Sequence, residues 1–529
     1  MDVRSKREGR SSGGGRVRLG RLTVALLSLF LALWLTACGA GMAEGWTGAA
    51  VGKTGVSEGR TRAKGDEGGS VIDRESGIKA GPGNETGGAG DDRAEVSATE
   101  THEVRAGHGG AEVPLKPDGR PYDGLYPQHE PYGTGVGVMP GRVVWAYDPG
   151  SVDWDGSGYW WEPGHFDETA IRRMVDGAIA SLGGKEDAQE GWAALFAYSR
   201  TGQGGSGGYV HGQKIVIKTN INGSGVMDDD TSGETKMSYT NPVLLRALLL
   251  SLVEEAGVSP SDITVYDVSR LFPDYMVELC TEGNLEGVAF VGRDKGVADE
   301  AVPVVWSHSF KGRTCYLPTC VTEADYLINL ANLKGHSYGI TLCGKNHFGS
   351  FLNGNAMRPP EGANMHQWLT KGEMGIYSPL VDLMAHRDLG GKTVLYMLDA
   401  ILCATSEGAA VTADRARWEQ EPFNGGYTAS LFVSQDPVAI DSVGADFLTN
   451  EPAVTENNSA VRAAGNENYL HEAGLVAAPP SGTVYTDGKG TAVANLGVHE
   501  HWDNAVDKRY SRDRGESEGI QLIRLRTGE

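Results

Sequence analysis

Between residues 214 and 448 the chain repeats one pattern: a short apolar run rich in β-branched residues, then a polar or glycine-rich stretch, then a segment of helical spacing. Residues 214–218 (KIVIK) form such a run. Asn241-Pro242 opens a strongly apolar helix through Glu255, with the proline suited to a first helical turn, and Gly257 closes it. Residues 263–267 (ITVYD) follow as the next run. A strand, a helix and a strand in one compact unit make a right-handed parallel crossover. Further strand candidates are 142–147, 288–291, 326–330, 394–398 and 431–433. Asp167 caps a helix on which Ile171, Met174, Val175, Ala178 and Leu182 share a face, and Asp436 caps another running to about Leu448. The expected fold is α/β: a mainly parallel sheet flanked by helices.

The pattern does not extend to the N-terminus. Residues 1–21 carry seven Lys or Arg against two acids, and residues 22–37 (LTVALLSLFLALWLTA) carry no charge. That order is an export signal, and sixteen residues fall short of the about 20 a spanning helix needs. Leu35-Thr36-Ala37-Cys38 resembles a bacterial lipobox, which implies cleavage before Cys38, lipid attachment to it and anchorage in the cell envelope. Residues 39–120 hold 20 glycines and one aromatic, Trp46, too little apolar surface to offset the entropy of ordering. This reads as a disordered tether over 38–120, with an ordered domain from 121 to 529. The net charge of −22 argues against a nucleic-acid partner, which calls for clustered Lys and Arg. The remaining cysteines, Cys280, Cys315, Cys320, Cys343 and Cys403, include no C-x-x-C pair, so no iron–sulphur cluster is expected.

Ligands of parallel α/β sheets bind beyond the carboxyl ends of the strands. Lys218, Asn220 and Asn222 follow the first run, and Asp267, Ser269 and Arg270 the second. The densest segment follows residues 326–330: Asn332, Lys334, His336, Ser337, Tyr338, Thr341, Lys345, Asn346 and His347. A lysine near other cations or partly buried has a lowered pKa and serves as base or nucleophile. His336, Lys345, Asn346 and Lys218 are therefore the candidate catalytic residues, and Asn220, Asn222, Ser269, Arg270 and Asp441 the candidate substrate-binding ones. Asp441 lies among small apolar residues and needs a partner, Lys345 or Lys218. In the C-terminal segment 497–504 (GVHEHWDN), His499 and His501 fall on one face of an extended chain, and with Asp503 they make a candidate transition-metal site.

The segments 215–220, 240–267, 324–349 and 430–446 resemble the bacterial uncharacterised-domain family numbered 362, over roughly residues 210–450. The resemblance is carried most by residues 324–334 (ADYLINLANLK), His336, Thr341, Lys345-Asn346 and Phe348-Gly349, with residues 434–441 (SQDPVAID) second. Some members of that family carry iron–sulphur modules, whose cysteine runs this chain lacks. A more distant likeness links Asp325, Ile328, His336, Gly339, Thr341, Lys345 and Gly349 to the lactate racemase (nickel-pincer) family. It implies His336 as acid/base, Lys345 as the cofactor lysine and His347 or His366 as metal ligand. The second acid/base histidine of that family falls near Ser269. The expected function is thus an exported, lipid-anchored enzyme with acid/base chemistry on a small anionic or hydroxylated substrate. The alternative is an extracytoplasmic binding lipoprotein, with Trp154, Trp160, Trp161 and Trp368 stacking on a glycan or other small ligand.

Overall fold

The computed structural model describes residues 126–224, 232–308, 314–352, 365–369 and 372–528. All lie in the second of two compact units, Arg105–Glu529. The export segment, Cys38 and the tether fall outside the described residues. Among those described, no helix is long and apolar enough to cross a membrane.

Nine strands form one sheet: β1 (Arg142–Tyr147), β2 (Ile215–Lys218), β3 (Ile263–Tyr266), β4 (Ala289–Val291), β5 (Tyr326–His336), β6 (Gly339–Thr341), β7 (Thr393–Ala404), β8 (Ser430–Ser434) and β9 (Gln521–Arg526). Their order is β9-β1-β8-β7-β5-β2-β3-β4, with β6 folded back on β5. The pairs from β7 through β4 are parallel, as is β9 with β1, whereas β8 runs antiparallel to both β1 and β7. The sheet is therefore mixed and mainly parallel, in agreement with the expected fold class. Strands buried on both faces read as continuous apolar runs, as β2 (IVIK) and β8 (SLFVS) do.

Helices cover both faces. The principal ones are α1 (Glu168–Gly183), α2 (Ala188–Gly202), α3 (Pro242–Leu250), the short α4 (Cys343–Asn346), α5 (Pro437–Thr449) and α6 (Asn468–Gly474). Trp145 of β1 points at Phe447 of α5, with ring centroids 4.9 Å apart. Its neighbour Ala146 pairs with Leu525 of β9, against which Gly177 of α1 closes. Successive strand residues point to opposite faces, so α1 and α5 sit on opposite sides of the sheet. The caps are those expected: the Asp167 carboxylate accepts Ala170 N–H at 2.9 Å, and Asp436 accepts Val438 and Ala439 N–H at 3.0 and 2.8 Å.

Several boundaries differ from the sequence reading. The helix from Pro242 is regular only to Leu250 and continues as a wider π turn to Glu255. β5 runs to His336, not 330, and β7 to Ala404, not 398. Polar residues inside these strands (Asn329, Asn332, Lys334, Asp399) hide their length, because they interrupt an apolar pattern while remaining in the ladder. The Trp-rich loop is packing rather than a platform. Trp154 and Trp160 are buried, and Trp161 stacks on Tyr275 with centroids 4.0 Å apart. The five described cysteines are unpaired.

Candidate active site

The carboxyl ends of β2, β3, β5 and β7 open onto a cavity of about 340 Å³. Its wall brings together most of the residues the sequence singles out: Asn220 and Asn222 after β2, Ser269 and Arg270 after β3, His336 at the end of β5, and Lys345 and Asn346 on α4. Thr341, Tyr338, Phe348 and His366 complete the side facing Lys345.

Lys345 lies at the centre of this chemistry. Its Nζ is 3.3 Å from His366 Nε2 and 4.8 Å from the Phe348 ring centroid. Burial pushes its pKa down to about 7; Glu407 acts in the opposite sense and Lys334 adds to the depression. Burial, with the neighbouring Lys345 ammonium, also holds His366 down at about 3, so that imidazole is neutral and can accept a hydrogen bond from Lys345 Nζ. Lys334 points inward from β5 and donates to Asn220 Oδ1 and Ser238 O, both at 3.1 Å; burial lowers its pKa to about 8.

His336 is oriented by the chain itself. Its Nδ1 accepts the backbone N–H of Tyr338 at 3.0 Å, so the ring proton sits on Nε2, 3.6 Å from Glu407 Oε1. The His336 and His366 rings stack with centroids 5.5 Å apart. Two imidazoles and an amine of depressed pKa thus share one wall.

Lys218 does not reach the cavity. It is fully buried beneath the floor, bonded to Asp267 Oδ2 at 3.0 Å, and burial lowers its pKa against the pull of that carboxylate. Asp267 in turn accepts Ser269 N–H and Oγ–H at 2.9 and 2.6 Å and Ile221 N–H at 3.2 Å. Lys218 is therefore a positioning residue for the two loops that carry Ile221 and Ser269. Gly349 passes so close to Asp267 that a Cβ there would lie 2.5 Å from Oδ1, which explains glycine at that point.

Asp441 corrects the sequence reading most clearly. It pairs with no lysine and does not line the cavity. Its oxygens accept Cys343 N–H and Gly344 N–H at 2.8 and 2.9 Å, and the Tyr469 hydroxyl at 3.1 Å. It caps α4 from below and so fixes where Lys345 and Asn346 project; burial raises its pKa to about 7. His347 likewise faces inward, between Asn329 Nδ2 and Ser350 Oγ, both at 3.1 Å, so of the two histidines the racemase likeness offers, only His366 reaches the cavity. Asp503 also parts from the group expected for it: its carboxylate takes Arg509 Nε at 2.8 Å.

Three cavity residues carry buried oxygens without a hydrogen-bond partner: Asn222 Oδ1, Thr341 Oγ1 and Asn346 Oδ1. Native folds rarely leave such atoms unpaired, and a ligand with complementary polar groups satisfies them. Glu407 escapes the sequence reading because polar residues conceal the true end of β7; the strand-end rule, applied after Ala404, finds it.

No curated protein matches the chain. Residues 215–446 match the family model described as Domain of unknown function (DUF362). Every residue lining the cavity falls within that stretch, from Asn220 to Glu407, and the match supports a DUF362 assignment for residues 215–446.

Proposed function

We propose that the DUF362 segment is an enzyme that moves a proton on a small anionic or hydroxylated substrate, within a protein exported and lipid-anchored at Cys38. The observation that carries this reading is Lys345: an amine with a pKa near 7, in van der Waals reach of a neutral imidazole, on the wall of a polar cavity. A base works best when its pKa is close to the ambient pH. In this reading Lys334 and the Arg270 guanidinium hold the anionic group of the substrate. The neutral Lys345 amine accepts the proton, and the neutral His336 ring keeps its proton and donates an Nε2–H hydrogen bond to the charge that develops. Glu407, whose carboxylate raises the Lys345 pKa, steadies the ammonium that forms.

A solvent-exchange assay tests this without the substrate being named in advance. The full-length chain is incubated in D₂O with a panel of hydroxy and keto acids, and loss of the α-proton signal is followed by NMR. At least one compound is expected to exchange. Lys345→Met and His336→Gln are each expected to slow exchange by about 10²–10⁴ with the fold kept. A Lys345→Met protein that exchanges like the parent, or a panel that neither exchanges nor raises the melting temperature, sinks the proposal.

A second reading is favoured by one distance, the 3.3 Å between Lys345 Nζ and His366 Nε2. A nickel-pincer group bound through a lysine and ligated by a histidine would find both donors there, and would supply hydride rather than proton chemistry. An intact mass showing an adduct on Lys345 selects this reading, and an unmodified Lys345 selects the first. Anchorage is tested separately. Cys38→Ser is expected to release the protein from the membrane fraction, and a variant that stays with the membrane argues against lipidation.

A further inference from the structure

Four histidines from three distant stretches converge away from the cavity. Tyr132-Gly133 pairs antiparallel with Val498-His499, and this brings His129 against His499 and His501. Ring centroids lie 4.9 Å apart for His129 and His499, 5.3 Å for His129 and His501, and 4.9 Å for His499 and His501. One ligand atom from each of the three lies within 4.8 Å of the other two. Glu467 meets the group through two of its members: its Oε2 is 3.0 Å from His501 Nε2 and 3.9 Å from His499 Nε2, and it also takes His471 Nε2 at 3.2 Å.

The tautomers are dictated by the outer partners. Ser442 Oγ spends its proton on Val438 O at 2.7 Å, so at 2.8 Å it must accept from His499 Nδ1–H. His501 Nδ1 faces the Asp446 carboxylate at 2.7 Å, and His129 Nδ1 faces Glu130 O at 2.7 Å. Those partners are acceptors, so each Nδ1 carries a proton; on His129 and His499 this turns the Nε2 lone pair inward, whereas His501, held between Asp446 and Glu467, carries a proton on both nitrogens while no metal is bound. His499 is wholly buried, and its Nε2, like that of His129, is buried without a hydrogen-bond partner. A metal ion that takes the place of the His501 Nε2 proton satisfies the unpartnered His129 and His499 nitrogens and keeps a positive charge beside Glu467. Nδ1–H held by a carboxylate, hydroxyl or carbonyl is the usual outer support of a metal-bound histidine. A tetrahedral ion with bonds of about 2.0–2.1 Å sets its ligand atoms about 3.3 Å apart, close to the separations around Glu467 Oε2.

We infer that His129, His499, His501 and Glu467 bind one divalent first-row transition-metal ion, with His471, Ser442 and Asp446 as outer supports. Imidazole and carboxylate without thiolate suit Zn²⁺, Co²⁺ or Ni²⁺. The ion fastens residues 129–133 and 498–501 to α6 and α5, outside the matched family segment except for Ser442 and Asp446. It is independent of the chemistry in the cavity.

The test uses the full-length chain in detergent, stripped with a chelator and titrated with Zn²⁺ or Co²⁺ alone. One equivalent is expected to bind and to raise the melting temperature by about 5 °C or more. Bound Co²⁺ is expected to give visible d–d bands without thiolate charge transfer. His129 is half-exposed in a loop ahead of the Tyr132-Gly133 pairing, so His129→Gln keeps the fold; it is expected to weaken Zn²⁺ binding by about 100-fold or more, and His471→Gln by about 10-fold. His499→Gln should abolish binding, and if it does not fold, His129→Gln decides. His336→Gln, in the cavity, should bind as the parent does. A folded chain that takes up less than a tenth of an equivalent, or a His129→Gln protein with undiminished affinity, overturns the inference.

Discussion

An amine kept neutral by burial leaves a signature in the pH dependence of folding. Lys345 titrates near 7 in the fold, against an ordinary lysine value of 10.5. Below about pH 7 both states hold the proton and stability does not change. From there up to about 10.5 only the unfolded chain holds it, so stability rises with pH. Lys334, at about 8, adds the same sense over a narrower window. Lys345→Met is expected to remove about 1.4 kcal/mol per pH unit of that rise, read from urea melts between pH 7.5 and 9, and to melt no lower than the parent at pH 7. A steeper slope in the variant contradicts the assignment. At this scale much of the site was legible. His336, Lys345, Asn220, Asn222, Ser269 and Arg270 all stand where the strand-end rule directs attention. What the sequence hid is direction. Lys218 and His347 have the right chemistry and the right position along the chain, but both point beneath the floor, a consequence of strand alternation and of a four-residue helix whose start the sequence does not mark.

α4 is too short to hold itself. A helix of one turn has almost no internal hydrogen bonds, so its first N–H groups need outside acceptors. Asp441 of α5 supplies them. Asp441→Ala strands two buried amides, and a loss of about 2–4 kcal/mol in urea unfolding is expected. The conservative Asp441→Asn keeps one acceptor oxygen and should fold better, with weakened turnover if α4 shifts. A variant as stable as the parent shows that α4 is held elsewhere. Gly349→Ala tests the far end of the same turn: a methyl there collides with Asp267, so loss of stability should accompany displacement of the Ser269 loop. Seven of the sheet's nine strands were legible as short apolar runs between 142 and 433, whereas β6 was not. Strand length was not, since the polar residues that make the site sit inside β5 and β7. Nor was β9, whose residues 521–526 (QLIRLR) alternate at a half-exposed edge and carry two arginines.

The sheet ties the two ends of the described chain together at one edge. β9 covers β1, with Leu522 buried and Leu525 against α1. Ending the chain after Gly519 uncovers the whole hydrogen-bonding edge of β1, and such open edges invite aggregation. A melting temperature lowered by several degrees and self-association in light scattering are expected; an unchanged, monodisperse truncation argues that β9 is dispensable. β8 bears a different consequence. β1 has only two neighbours in the sheet, β8 and β9, and both are made nearly 300 residues or more after it. A chain emerging in order from a ribosome or a translocon therefore carries β1 and its helix α1 without a sheet to join until residue 434 has arrived. Such distant pairings fold slowly. The half from β2 to β7 can assemble around its own crossovers first, and the antiparallel β8 then draws the oldest part of the chain into place last.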